Sequence, residues 1–200
     1  MPLISGNEFI WGSRTYSMGI INVTPDSFSN DGILNNIKKI QTKAKLFQSL
    51  GADIIDVGGE STRPPNIYGN FTPVDENEEI KRVIPAIKAI QDVVSIPISI
   101  DTYKPAVAEK SLSVGASIVN NVWATKNDAK MNALLSEQKP ATILMHNQKK
   151  SKYNNLLDEV FYSLNHMVEN TVKLGIDADK IIIDPGIGFG KTTTDNLNIL

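Results

Sequence analysis

Side chains that can do chemistry stand at the ends of short apolar runs all along this chain. The run that begins at Met18 is closed by Asn22, and later apolar runs end in an acid, an amide or a histidine. Because the carboxyl ends of parallel strands share one edge of a sheet, such residues are expected to converge on one site. They are Asn22, Asp56, Asp101, Asn120, His146 and Asp184.

Asp101, Asn120 and Asp184 together offer two carboxylates and an amide. A half-buried carboxylate is unfavourable unless a donor pairs with it, so this set suits a ligand with a planar edge of several N–H groups. A fused heterocycle with amino groups has such an edge. Each acid alone also fits a cap for the following helix, but that explanation is weak for all three residues at once.

The segments after the first and second strands suit a metal and an anion. Asn22 offers one weak oxygen ligand, and Mg²⁺ often takes one or two protein oxygens and completes its shell from phosphate and water. Residues 24–29 add hydroxyls and a carboxylate around Phe28, although a plain turn explains them equally well. Arg63, beside Thr62 and with no acid nearby in sequence, suits an anion clamp or a solvated surface position.

Three glycines, Gly186, Gly188 and Gly190, follow the sixth apolar run. A P-loop would need glycine where Pro185 stands, and a dinucleotide fingerprint would need glycine where Lys191 stands. We interpret the glycines as a close approach of the backbone to a flat ligand, with Phe189 packing nearby.

Six strand–helix units are predicted in order, after a hairpin-like lead-in over residues 1–17 with strands at 8–11 and 14–17. The strands are apolar without alternation, which indicates parallel strands covered by helices. An open doubly wound sheet and a (β/α)8 barrel both fit, and one polar group at each strand end favours the barrel. Since a complete barrel usually needs about 250 residues, about two units are expected to be absent.

Two helices have marked sequence features. Asp75 with Glu78 is similar to a capping box at the start of the second helix. His166 lies on the longest helix, predicted over 156–174, and is interpreted as structural. The apolar stripe predicted for that helix consists of Leu157, Val160, Phe161, Leu164, Val168 and Val172.

The composition excludes several classes of protein. The 200 residues are 41% hydrophobic with a formal net charge of −2, which indicates one domain, 1–200, with no basic surface for nucleic acid or an anionic membrane. The absence of Cys excludes disulfides and Cys-ligated zinc, and two His cannot build a His-rich metal site. No apolar run approaches the roughly 20 residues of a membrane span, and the start does not read as a signal peptide. We expect a soluble, cytoplasmic protein.

Six segments of the chain resemble one known family. They are NVTPDSFS at 22–29, DVGGESTRP at 56–64, SIDT at 99–102, VNN at 119–121, LMH at 144–146 and DPGIGFGK at 184–191. In this order and spacing they resemble the dihydropteroate synthases of folate biosynthesis. The resemblance implies a pterin-binding (β/α)8 barrel that joins a 6-hydroxymethyl-dihydropterin diphosphate to 4-aminobenzoate and releases diphosphate.

The resemblance also implies which residues bind the pterin. Asp101, Asn120 and Asp184 would hold its polar edge, and Met145 and Phe189 would line its ring.

For the diphosphate, the resemblance implies that Asn22 ligates Mg²⁺ and that Thr62 and Arg63 contact the anion. Phe28 and Pro64 would shape the aminobenzoate pocket, where sulfonamides compete.

The implied reaction is dissociative. Diphosphate leaves, a pterin cation forms, and the neutral aniline nitrogen attacks it. Catalytic roles are implied for Asp101, Asp184, Arg63 and Asp26, as groups that stabilise either the leaving anion or the cation.

In the family, a Lys after the seventh strand and an Arg-x-His after the eighth complete the site, and neither lies within this sequence. We therefore expect a truncated or partial synthase with small-molecule substrates. The family also suggests a homodimer.

Two other functions stay open at this point. A pterin-binding methyltransferase domain, which serves methyltetrahydrofolate and a corrinoid protein, shares the Asp/Asn/Asp pattern but does not need the NVTPDSFS and STRP loops. A non-catalytic pterin-binding fragment is supported by the missing units alone.

Overall fold

The structure of the chain is a computed structural model that describes residues 2–23, 33–60, 74–124 and 128–200, with 33–36 described for their backbone only. The described residues fall into two compact units, one ending at Asn120 and the other beginning at Asn121. Each unit combines parallel strands with helices, as the apolar, non-alternating runs predict. The expectation of one domain over 1–200 stays a prediction.

The lead-in forms a short antiparallel hairpin of β1 (Leu3–Ile4) and β2 (Asn7–Glu8). The prediction of a hairpin is confirmed, but its predicted strands at 8–11 and 14–17 are wrong. Ser5 and Gly6 form the turn, both with positive φ (49° and 77°), which matches the two-residue turns preferred in hairpins.

The first unit continues with parallel strands and the helices between them. Each strand pairs in parallel with the next strand in the chain. The elements are β3 (Met18–Asn22), α1 (Ile33–Ser49), β4 (Ile54–Gly58), α2 (Glu76–Gln91), β5 (Ile98–Asp101), α3 (Pro105–Ser113) and β6 (Ile118–Asn121). Ile55 and Ile100 of the strands and Ile87 of α2 are fully buried, and such a side chain contributes about 1.5–3 kcal/mol on burial.

The second unit holds a parallel pair of strands and their helices. Its elements are α4 (Ala129–Gln138), β7 (Ala141–Met145), α5 (Leu156–Lys173), a 3₁₀ turn (Ala178–Lys180), β8 (Ile181–Asp184) and α6 (Thr193–Ile199). The pairing of β7 with β8 places Met145 opposite Asp184. The prediction of six strand–helix units is confirmed by β3 to β8 and the helices that follow them.

The buried face of α5 differs from the predicted stripe. Val160 and Leu164 are buried as predicted, in a cluster with Met167 and Leu144 of β7. Leu157 and Phe161 are instead 55% and 65% exposed. The residues at 160, 164 and 167 follow the helical spacing of four and three, and the predicted stripe mixed this face with its neighbour.

Asp75 caps the N-terminus of α2 as predicted, but the predicted capping box between Asp75 and Glu78 is wrong. Asp75 accepts a hydrogen bond from Asn77 N at 2.9 Å. Glu78 does not close a capping box there and pairs with Arg82 at 3.3 Å. A complete capping box occurs at α6, between Thr192 and Asp195, where the sequence analysis did not expect one.

Candidate functional site

The strand register of the first unit places the predicted site residues in one row. Asn22 of β3 pairs with Gly58 of β4, Gly58 pairs with Asp101 of β5, and Asp101 pairs with Asn120 of β6. These residues stand at or next to the carboxyl ends of four neighbouring strands. The prediction that Asn22, Asp101 and Asn120 come together is therefore confirmed.

Gly58 keeps the middle of this row open. A Cβ atom at Gly58 would lie 2.9 Å from Asn22 Oδ1 and 3.6 Å from Asp101 Oδ2. The two oxygens thus face the space above a residue that has no side chain. Any larger residue at this position would fill the space between the carboxamide and the carboxylate.

Asp56 lies two residues before Gly58 on β4 and is 3% exposed. Asn120 Nδ2 donates a hydrogen bond to Asp56 Oδ2 at 3.3 Å, which leaves the carbonyl oxygen of Asn120 free to accept from another donor. Sequence reasoning placed Asp56 at a strand end but gave it no role. Its burial and its contact with Asn120 make it part of the site.

Two carboxylate oxygens, one in this row and one beside it, have no hydrogen-bond partner among the described residues. They are Asp56 Oδ1 and Asp101 Oδ1, and both are buried. Burial raises the pKa of Asp56, although the side chains of Ser99 and Asn120 act in the opposite direction. Burial together with the nearby charges of Asp56, Glu79 and Glu60 raises the pKa of Asp101 well above its usual value. Buried acceptors without donors are what a ligand with several N–H groups satisfies.

A buried ion cluster stands next to this row. Lys104 donates hydrogen bonds to Glu60 and to Glu79, whose side chains are 3% and 1% exposed. Burial works against the charge on Lys104, but the hydrogen bonds and charges of the two glutamates outweigh it and raise the pKa of Lys104. Glu60 also accepts from Val74 N at 3.4 Å. Sequence reasoning did not identify this cluster.

In the second unit, Asp184 ends β8 with a half-buried side chain. Its Oδ1 accepts a hydrogen bond from Gly186 N at 2.7 Å. Met145, at the end of β7, is buried and lies opposite Asp184 in the strand register, so these two predicted site residues are neighbours. Phe189 is half-buried in the turn that follows.

The glycines of that turn approach other backbone segments. A Cβ atom at Gly186 would clash with His146 O, and one at Gly190 would clash with Gln148 O. The close backbone approach seen here is to the segment after β7, and the predicted approach to a flat ligand stays a prediction. Positive φ angles of 73° and 58° add a second reason for glycine at these two positions.

Five predicted site residues lie outside the described residues, so their roles stay predictions. They are Asp26, Phe28, Thr62, Arg63 and Pro64. Among the residues that the structure describes, no group of three or more Asp, Glu or His side chains could hold a metal ion. Within the same residues, no helix is long and apolar enough to cross a membrane.

The family model of pterin binding enzymes matches residues 18–200 of the chain. The chain belongs to this family of pterin-binding enzymes. Among its relatives, the dihydropteroate synthase of Clostridium beijerinckii is 44% identical over 197 residues, which is 98% of this chain and 71% of the relative. The dihydropteroate synthase of Bacillus subtilis is 45% identical over 187 residues, which is 94% of this chain and 64% of the relative.

Solved structures of this kind of enzyme have the same fold. The Clostridium difficile dihydropteroate synthase, crystallised in the presence of pteroic acid, matches 96% of this chain with a TM-score of 0.88 and 42% identity, over 72% of its own length. The Xanthomonas albilineans dihydropteroate synthase with 4-aminobenzoic acid matches 94% of this chain with a TM-score of 0.84 and 34% identity, over 67% of its length. These likenesses confirm the predicted family and the predicted barrel class, of which this chain carries about six βα units.

Proposed function

We propose that this chain binds a dihydropterin diphosphate and joins it to 4-aminobenzoate, the reaction for which its relatives are named. The observation that carries the proposal is the row of Asn22, Asp101 and Asn120, beside which buried oxygens of Asp56 and Asp101 have no hydrogen-bond partner within the described part of the chain. One relative was crystallised in the presence of pteroic acid and another with 4-aminobenzoic acid, which are chemically a product-like conjugate and one of its halves.

The pterin edge carries amino and ring N–H groups, and the site offers acceptors for them. Asp101 and the carbonyl oxygen of Asn120 would accept from this edge. The family resemblance adds Asp184, which would offer Oδ2, since its Oδ1 is already engaged by Gly186 N. Pairing removes the unfavourable free energy of leaving buried acceptors unpaired, which is about 1–3 kcal/mol for each group. Met145 and Phe189 supply apolar surface for the ring.

In the reaction, the bond between the pterin methylene carbon and a diphosphate oxygen breaks, and its electron pair leaves with the diphosphate. The positive charge left on the pterin would be stabilised by the carboxylates of Asp101, at the end of β5, and of Asp56, which is buried within β4. The neutral amine nitrogen of 4-aminobenzoate then forms the new C–N bond and releases a proton to solvent. No strong general base is required, because an aniline is nucleophilic in its neutral form.

Mg²⁺ is the cofactor that we propose for the leaving group, and Asn22 is the residue that would hold it. Asn22 Oδ1 lies beside Gly58, where the missing Cβ leaves an oxygen-lined cradle, and a hard cation prefers oxygen donors. The ion would neutralise charge on the departing diphosphate. A single carboxamide ligand fits an ion that takes most of its shell from diphosphate and water.

The remaining parts of the proposal rest on the family resemblance. Thr62 and Arg63 would bind the diphosphate, Asp26 would stand near the cation, and Phe28 with Pro64 would shape the aminobenzoate pocket. A homodimer and a cytoplasmic location also stay predictions.

Release of diphosphate from the dihydropterin substrate, measured with Mg²⁺ in the presence and absence of 4-aminobenzoate, tests the proposal. We expect release that depends on 4-aminobenzoate and is inhibited by a sulfonamide. An Asp92→Asn variant, altered at an exposed acid that follows α2, is the matched control and should behave like the wild type. Release at the same rate without 4-aminobenzoate would contradict the proposed transfer.

A further inference from the structure

Lys191 follows the glycine-rich turn, and its ammonium group has a complete set of hydrogen-bond partners. Its Nζ lies 3.0 Å from Gly186 O, 3.0 Å from Phe189 O and 3.0 Å from His146 Nδ1, with a longer approach of 3.5 Å to His146 O. An ammonium group carries three N–H donors and no acceptor. These contacts therefore use the donors of Lys191 within the protein.

The contact with His146 fixes the state of that imidazole. Because Lys191 can only donate, His146 Nδ1 must accept, so the ring is neutral and carries its proton on Nε2. Burial and the charge of Lys191 both lower the pKa of His146, which is consistent with the neutral form. His146 follows β7 and is 4% exposed, so it is a fixed anchor for the ammonium group.

The turn held by Lys191 is also connected to Asp184. Gly186 N donates to Asp184 Oδ1 at 2.7 Å, Phe189 N donates to Gly186 O at 3.1 Å, and His146 N donates to Asp184 O at 2.9 Å. Gly186 O thus accepts from both Phe189 N and Lys191 Nζ, while the amide of the same residue sets one oxygen of the carboxylate. A displaced Gly186 would change the direction in which Asp184 presents its second oxygen.

We infer that Lys191 is a positioning residue of the pterin site, which fixes the turn from Gly186 to Phe189 against His146 and thereby orients the carboxylate of Asp184. The inference rests on the proposed function, because it takes Asp184 and Phe189 as pterin-binding residues. Lys191 itself does not touch the ligand in this account, since its donors are already used. No role for this lysine followed from the sequence, where it only excluded a dinucleotide fingerprint.

We call Lys191, His146 and the turn from Gly186 to Phe189 the clamp, and charged groups face both Lys191 and His146. Lys191 faces the carboxylates of Asp184 on β8 and Asp195 on α6, and His146 faces Lys191 and Glu159 of α5. Burial lowers the pKa of Lys191 to about 8, against the attraction of the two carboxylates, so the ammonium form predominates at pH 7. At pH 7 the ammonium group of Lys191 is therefore a charged donor, and its hydrogen-bond acceptors, Gly186 O, Phe189 O and His146 Nδ1, are neutral.

The first experiment measures the clamp without a ligand. In a Lys191→Met variant we expect the pKa of His146, followed by NMR with a His166→Gln background for assignment, to rise relative to the wild type. We also expect faster amide hydrogen exchange at Gly186 and Phe189, with exchange in β7 and β8 unchanged. Lys191→Arg should restore the low pKa of His146, and Lys173→Met, an exposed lysine of α5, should change neither quantity.

The second experiment measures the consequence for binding, by calorimetric titration with the dihydropterin diphosphate at pH 7. Loss of a hydrogen bond to a charged group corresponds to at least about a tenfold change, so we expect at least a tenfold weaker affinity for Lys191→Met, partial recovery for Lys191→Arg and no change for Lys173→Met. Unchanged affinity in a folded Lys191→Met variant would overturn the inference. Faster exchange throughout β7 and β8 would also overturn it, because the role of Lys191 would then be general stability.

The two experiments separate the inference from the proposed function. If the wild-type chain does not bind the dihydropterin, the proposed function fails for this chain. The exchange and the titration of His146 still decide whether Lys191 holds the turn, and unchanged values in Lys191→Met would overturn the inference in that case too.

Discussion

At the end of β5, Asp101 Oδ1 is buried and has no partner among the described residues, whereas at the end of β8 Asp184 Oδ1 accepts from Gly186 N at 2.7 Å. The first carboxylate stands among other acids, and its pKa is raised well above the usual value by burial and by those acids. The second carboxylate is bound to a backbone turn that Lys191 holds in place. An aspartate therefore ends both strands, but Oδ1 has a hydrogen-bond donor in Asp184 and none among the described residues in Asp101.

This difference shows two ways of preparing a binding site. The first unit keeps buried acceptors open for donors that a ligand would bring, at the expense of folding stability. The second unit satisfies its turn internally, so that the position of one carboxylate is set before a ligand arrives. Removing an open acceptor in the first unit should therefore weaken ligand binding without loss of stability. Disturbing the turn of the second unit should reduce the free energy of unfolding.

The largest change in stability is expected at the ion cluster of Lys104, Glu60 and Glu79. This cluster lies beside the strand-end row of Asn22, Gly58, Asp101 and Asn120, which we call the open row. Lys104→Met leaves Glu60 and Glu79 buried without their partner, and breaking such a cluster typically destabilises a protein by about 3–5 kcal/mol. Denaturant unfolding measures this loss. The control Lys110→Met, at an exposed residue in the last turn of α3, should stay within about 0.5 kcal/mol of the wild type. An equally small loss for Lys104→Met would show that the acids of the first unit do not depend on this lysine.

The next effect concerns the satisfied turn of the second unit. Gly186→Ala adds a methyl group that clashes with His146 O at a positive φ of 73°, and we expect a loss of about 2–5 kcal/mol in the free energy of unfolding. Gly188→Ala also has a positive φ of 85°, but nothing lies within 4 Å of the added atom, so only the backbone strain of about 1–2 kcal/mol should appear. Equal losses in the two variants would argue against close packing of the turn on the segment after β7.

A smaller effect of opposite sign is expected at the open row. Asp101→Asn removes a buried ionisable group, and we expect the free energy of unfolding at pH 8 to rise by about 1 kcal/mol, the lower end of the penalty for an unpaired buried polar group.

The same variant should also change the pH dependence of stability. The folded pKa of Asp101 is raised above 3.8, so the folded state binds more protons than the unfolded state above pH 4, and stability falls as pH rises through this window. Asp101→Asn should flatten this fall, as measured by denaturant unfolding between pH 4 and pH 8. An unchanged slope would mean that Asp101 is not the group responsible.

Sequence reasoning predicted best what local pattern determines. β7 matches its predicted bounds, 141–145, and the row of strand ends follows from the chain order of parallel strands. The clusters that it missed join residues far apart in sequence: Lys104 is 44 positions from Glu60, and Lys191 is 45 positions from His146. Neither pair has a spacing signal. Their contacts arise only when neighbouring strands and turns are in place.

The face of α5 was predicted in part because two adjacent stripes of that helix are both apolar. Periodicity alone does not choose between Leu157 with Phe161 and Leu164 with Met167, and the strand beneath the helix makes the choice. The loops that carry Arg63 and Phe28 lie outside the described residues, so the anion clamp at Arg63 and the aminobenzoate pocket at Phe28 stay predictions.

The central claim is that the open row of the first unit binds the pterin edge. Calorimetric titration of the dihydropterin diphosphate into the wild type, Asp101→Asn and the exposed control Asp92→Asn tests it most directly. The account predicts at least a hundredfold weaker binding for Asp101→Asn, equivalent to about 2.7 kcal/mol, with Asp92→Asn unchanged. Wild-type affinity in a folded Asp101→Asn variant would contradict the account.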